Sequence, residues 1–335
     1  MIRFALIVAS TLGFMLTAAF GSLMVPLSQL KQGQKAPVSS GGTWGPLENG
    51  VPTMGGMCLI VGVVAAVGVG WTAACVASPD LLGSEKQLTT RLLTALFGGL
   101  LFGAIGAADD LTRLRRNQPL GLRRGSRLIL EIGAAAAVLG ILKANDCLTT
   151  GLSLPVFGYV ELGAAAPLLY GAELVALAGS ARVADGADGT VCGASFVAML
   201  ALTALLTLLG WFPLAVLPAA LAGALLAFLV WNFPPAKITM GSTGCMFAAG
   251  VLGCVPLCIG WPGLSVPLAL PFWLDGGMVA VQIVFYSIAH RPLFRTAPLH
   301  RWLEKKNISQ VGIFYFFCAA ALCGAVLTLK LLSAA

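Results

Sequence analysis

Apolar runs long enough to cross a bilayer recur along this chain at residues 3–24, 53–78, 91–108, 128–145, 164–181, 190–210, 213–231, 243–261, 268–289 and 310–332. Most come close to the roughly 20 apolar residues that a membrane helix needs. Several are rich in Gly and Ala, as closely packed membrane helices are. The pattern predicts an all-α, polytopic membrane protein with about ten spans and short loops, a single integral unit over residues 1–335. Only Arg3 precedes the apolar core of the first run, and that core is too long for a signal peptide, so the run reads as an uncleaved span.

Composition sharpens the picture. Of 335 residues, 58% are hydrophobic and only 10% charged, and the mean hydropathy is +0.93. A soluble domain carries roughly 25% charged residues, so a water-covered surface is excluded. Disorder is excluded by the apolar excess. The nine cysteines show no C-x-x-C spacing and mostly lie inside apolar runs. They read as small buried hydrophobes.

The net charge of +7 changes the picture only once its location is known. The odd-numbered loops hold Lys31, Lys35, Arg113, Arg115, Arg116, Arg123, Arg124, Arg127, Arg182, Lys237, Arg291, Arg295, Arg301, Lys305 and Lys306, which is 15 of the 20 Lys and Arg. Cations on one side set orientation, so the odd loops are expected in the cytoplasm and both termini outside. The basic balance is a membrane feature and predicts no nucleic-acid partner.

The same loops collect the chemistry. The third run ends in Asp109-Asp110, and loop five carries Asp185-Gly186-Ala187-Asp188-Gly189. A carboxylate at a helix C-terminus is disfavoured by the dipole, so the first pair demands a compensating cation. Gly99, Gly103 and Gly106 form a smooth stripe that Asp110 continues into the bundle, while Asp109 points about 100° away. Two acidic pairs at one membrane level suit Mg²⁺, a hard ion that takes carboxylates and phosphates. The alternatives are neutralisation of Asp109 and Asp110 by Arg113 and its neighbours, and a plain Asp-Gly turn in loop five. The six arginines between Arg113 and Arg127 suit either anionic lipid or a phosphate ligand. His300 lies in a short amphipathic stretch with Trp302 that reads as an interfacial surface helix. Glu131, Glu173 and Asp275 are acids within apolar spans, where a functional or a hydrogen-bonded structural role is equally open.

Taken together, these motifs resemble the phospho-N-acetylmuramoyl-pentapeptide transferases, within the polyprenyl-phosphate sugar-1-phosphate transferases (glycosyltransferase family 4 type). The resemblance rests on Leu30-Lys31 through Gly33-Gln34 with Pro52-Thr53-Met54-Gly55-Gly56, on Asp109-Asp110 with Leu120-Gly121-Leu122, and on Asp185-Gly186-x-Asp188-Gly189. It continues through Asn232, Pro235-Ala236 and Met240-Gly241-x-Thr243-Gly244 to Arg295-x-Ala297-Pro298-Leu299-His300 with Glu304. The resemblance implies ten membrane helices, a homodimer, a cytoplasm-facing site and a bacterial inner-membrane location. It implies transfer of phospho-N-acetylmuramoyl-pentapeptide from its UDP-linked donor to undecaprenyl phosphate, giving lipid I and UMP, with Mg²⁺ as cofactor. By the same resemblance Asp109, Asp110, Asp188 and His300 are expected to be catalytic. Thr53, Asp185, Asn232, Lys237, Arg127 and Arg295 are expected to bind substrate. Asp109, Asp110, Asp185, Asp188 and the position of Ser242 are expected to hold the metal.

The chain departs from that pattern at four points. Ser242 stands where the family has the Asp of Met-Gly-Asp-Thr-Gly, and Arg182 stands where it has Asn. Glu48 takes a lysine position, and the run of histidines is reduced to His300, followed by Arg301 and Trp302. These departures keep open a weak or silent paralogue that binds polyprenyl phosphate or nucleotide sugar, and a sister transferase for another UDP-N-acetylhexosamine. A transporter would predict inverted repeats, and none is evident.

Overall fold

The computed structural model describes residues 2–32, 52–77, 86–116, 121–154 and 158–333. Gly33, Gln34, Lys35, Glu48 and Leu120, all singled out above, lie outside the described residues.

Helices follow the apolar runs: α1 (Ile2–Gln32), α2 (Gly56–Ala77), α3 (Lys86–Arg116), α4 (Arg124–Ala144), α5 (Ala166–Ala184), α6 (Thr190–Leu208), α7 (Phe212–Asn232), α8 (Gly241–Cys258), α9 (Leu270–Ala289) and α11 (Gln310–Ser333). Between the last two lies the short α10 (Leu299–Lys305). Among the described residues, ten helices are long and apolar enough to span a membrane. The fold is all-α and polytopic. Among the described residues its one deviation is an antiparallel hairpin, β1 (Gly151–Leu154) and β2 (Gly158–Glu161), with Gly151 opposite Glu161 and Leu154 opposite Gly158. It lies in the fourth loop, which the apolar pattern leaves as connection.

Every residue of α8 is buried, which makes it the axis of the bundle. Helix α3 packs along it, and α1 packs against α2 and α7. Lipid tails are as apolar as leucine, so such contacts are held by close fit rather than by escape from water. The fit is tightest at Gly106, where an added Cβ would stand 2.2 Å from the carbonyl oxygen of Ser242. Gly99 and Gly103 face Val251 and Phe247 of α8 in the same way, so the glycine stripe is the α3–α8 seam. The outer helices expose apolar side chains, among them Leu128, Ile129, Leu130 and Ile132 on α4 and Val281, Ile283, Val284 and Ile288 on α9. A surface of this kind belongs in hydrocarbon.

The first and seventh loops meet at one end of the bundle through their backbones. Gly55 N–H donates to Thr239 O (3.1 Å), Gly56 N–H to Met240 O (2.9 Å) and Thr239 N–H to Pro52 O (2.9 Å), joining the loop before α2 to the loop before α8. At the other end, Tyr170 donates to Gly151 O (3.0 Å), Ser265 pairs with Glu173, and the guanidinium of Arg91 lies over the Trp211 ring. Glu173 is thus a hydrogen-bonded acid at the end away from the candidate site.

Candidate active site

Helix α3 continues six residues past Asp110, to Arg116, further than the apolar run predicts. The two aspartates are therefore inside the helix rather than at its end, and both are 0% exposed. They are compensated in different ways. Asp110 faces the start of α8, where its carboxylate accepts the N–H of Ser242 (3.1 Å), the N–H of Thr243 (2.9 Å) and the hydroxyl of Thr243 (2.7 Å). These are the otherwise unpaired N–H groups of a helix N-terminus, the positive end of its dipole. The start of a helix answers this charge, with the Arg113 guanidinium acting on it as well.

Asp109 is answered by cations. Its Oδ2 lies 3.3 Å from Arg182 Nε and 3.6 Å from Arg113 Nη2, and it accepts the Ser242 hydroxyl at 2.9 Å. Its Oδ1 accepts the N–H of Leu122 (2.8 Å), which pins loop three against α3. Arg127 completes the group. It pairs with Glu131 (3.4 Å) one turn along α4, and it lies within the fields of Arg182 and Asp109. The intramembrane acid Glu131 therefore belongs to this cluster.

Loop five approaches from the other side. Asp185 lies beside Asp110, the Cys245 thiol and the Gly241 N–H. Burial pushes its carboxyl up to about 7, and the neighbouring Asp110 charge pushes it in the same direction. Asp188 accepts the N–H of Ala236 (2.9 Å), tying loop five to loop seven. Asn232 is buried, and its side-chain amide donates to Ile238 O (2.9 Å), which shapes the same turn. Thr53 is buried at the joint between the first and seventh loops, while Lys237 and Arg295 are exposed.

His300 is not on the surface. It is 1% exposed, on the inner face of α10, while Trp302 on the outer face is exposed and lies under Lys306. Asp275 holds it twice: the His300 N–H donates to Oδ1 (3.0 Å), and Nδ1 meets Oδ2 at 2.9 Å. With Nδ1–H given to the carboxylate, Nε2 is left as the working nitrogen. It is buried without a hydrogen-bond partner and aims at loop five. There an added Cβ on Gly186 would lie 2.2 Å from it, so only glycine fits. Sequence reasoning flagged Asp275 only as an acid in a span, because its pairing with His300 crosses 25 positions and leaves no local pattern.

The structure thus gathers Asp109, Asp110, Asp185, Ser242, Arg127 and Arg182 around the start of α8, with His300 joined through Gly186. Asp188 and Asn232 serve the neighbouring loop junction. Among the described residues, no three His, Cys, Asp or Glu side chains come together as a metal ion would need. The donors to Asp109 are two guanidinium groups, a hydroxyl and a backbone N–H, and this surrounding does not fit the implied Mg²⁺ site.

Residues 92–260, spanning α3 through α8 and both sides of this cluster, match glycosyl transferase family 4. The chain belongs to that family, in its phospho-N-acetylmuramoyl-pentapeptide-transferase branch. The relative from Moorella thermoacetica is 31% identical, covering 92% of each chain. Those from Geobacillus kaustophilus and Latilactobacillus sakei are 29% and 26% identical, covering 96% of both chains and 94% and 95% of the two chains respectively. All three are phospho-N-acetylmuramoyl-pentapeptide-transferases. The family member described here is a multi-pass membrane transferase.

Proposed function

We propose that this protein transfers phospho-N-acetylmuramoyl-pentapeptide from its UDP-linked donor to undecaprenyl phosphate, forming lipid I and releasing UMP, at the cytoplasmic face of a bacterial inner membrane. The observation that carries this reading is the buried Asp109, ringed by Arg113, Arg127 and Arg182 at one end of a ten-helix bundle. A lipid phosphate and a soluble nucleotide can meet only at such an interface. In the reaction a phosphate oxygen of the lipid attacks the sugar-bearing phosphorus of the donor. The bond from that phosphorus to the bridging oxygen breaks, and UMP leaves with the electron pair. Negative charge accumulates on the phosphoryl oxygens, and fixed guanidinium groups in a water-poor site stabilise it. His300, whose Nδ1 is held by Asp275, turns Nε2 toward Gly186 of loop five, where it is placed to take a proton. The resemblance implies Mg²⁺ as well, but the donors present do not fit it.

The fixed saturation of Asp109 by its neighbours favours a second reading, a silent paralogue that binds the same ligands without turnover. UMP release by purified protein given UDP-muropeptide and undecaprenyl phosphate separates the two. Sustained release, absent when either substrate is omitted, is the expected result. No release under conditions where a relative turns over would leave the silent reading.

A further inference from the structure

Two of the four departures from the family pattern, Ser242 and Arg182, lie 60 positions apart and on different helices. In the folded chain they meet on one atom, Oδ2 of Asp109, at 2.9 and 3.3 Å. The chemistry of the meeting is specific. A carboxylate in place of Ser242 would face the Asp109 carboxylate at hydrogen-bond range, and two such charges coexist only with a cation between them. A serine hydroxyl donates instead, and the cation is already present as Arg182. Around the start of α8 three guanidinium groups (Arg113, Arg127, Arg182) face the carboxylates of Asp109, Asp110 and Glu131, so these carboxylates already have their counter-charges without a metal ion. A divalent ion entering here would have to displace the Arg182–Asp109 ion pair.

We infer that Arg182, seated on Asp109 by Ser242, is the resident cation that receives the donor's diphosphate, in place of a metal ion at this position. The side chain is suited to it. Nε is committed to Asp109, the side chain keeps 22% exposure, and the planar Nη fork matches a phosphate in two-point geometry. Asp109 is then the positioning residue for Arg182 rather than a metal ligand. The class of ligand, a nucleotide diphosphate, rests on the transferase reading; the guanidinium seat rests on the geometry alone.

The test uses the full-length protein, purified in detergent, with Mn²⁺ alone as the probe and its free signal followed by electron paramagnetic resonance. Mn²⁺ is a hard ion of the same ligand preference as Mg²⁺. The wild-type protein should take up no more Mn²⁺ than Asp109→Asn. The double variant Arg182→Asn, Ser242→Asp should gain about one equivalent per chain, binding at least about tenfold tighter than wild type. Uptake of about one equivalent by the wild-type protein overturns the inference, and that measurement needs no variant to fold. A double variant that keeps its thermal midpoint yet gains no Mn²⁺ also overturns it. Chelation gives a second arm: UMP release by the wild-type protein in EDTA should stay within about twofold, and a loss of more than about tenfold restored by Mg²⁺ counts against it. If no UMP is released under any condition, the transferase reading falls, and the Mn²⁺ result still decides the seat.

Discussion

At the residue scale, the site is a set of side chains whose freedom has been removed by their partners. Asp275 takes both the backbone N–H and Nδ1 of His300, so the imidazole can present only Nε2 to Gly186. If that nitrogen handles a proton in the transfer, His300→Gln should lower kcat by about 100-fold or more. Asp275→Asn should lower it by about 10- to 100-fold, as losses of an orienting partner do. The double variant should be no worse than His300→Gln alone, because the two act as one unit. Additive losses would mean that Asp275 merely supports the fold and that His300 acts without it.

The element that matters most is the seam between α3 and α8. The dipole argument asks for a compensating cation at the aspartate pair, and Arg113 and Arg182 supply it at Asp109. Asp110 is satisfied by the first N–H groups of α8, which the glycine stripe of α3 brings within hydrogen-bond reach. The stripe is thus part of the site's construction. Gly106→Ala drives a methyl into the Ser242 carbonyl and should cost about 1–3 kcal/mol, read as a lowered thermal midpoint in detergent. Gly133→Ala on α4, where an added Cβ meets nothing within 4 Å, is the control and should be neutral or slightly stabilising. Equal midpoints for the two variants would dismiss the seam as a constraint.

For the whole molecule, the prediction concerns sidedness. Fourteen of the fifteen odd-loop cations expected in the cytoplasm lie in described residues, and those loops meet at the end of the bundle that carries the cluster. A cysteine replacing the exposed Lys305 should react with an impermeant maleimide only from the cytoplasm, and one replacing the exposed Asp146 only from outside. The reverse pattern would detach the site from the cytoplasmic nucleotide pool and remove the proposed donor.

The sequence by itself determined the bundle, its ten spans and the end at which the polar residues gather. Those follow from hydropathy and charge, which the bilayer reads one segment at a time. The aspartates, His300 and the arginines were legible as residue types out of place among apolar runs. Their partnerships were not. Asp109 with Ser242, Arg182 with Asp109 and Asp275 with His300 join positions 133, 73 and 25 residues apart, and such pairings follow no period along the chain. The tertiary structure alone decided that Asp110 caps a helix, that His300 is buried, and that Ser242 and Arg182, which looked like separate drifts in sequence, bear on one carboxylate. The physical reason is that a segment's fit to the membrane is a sum over its own residues, whereas the state of a buried charge is set by whatever the packing of other segments brings within about 4 Å of it.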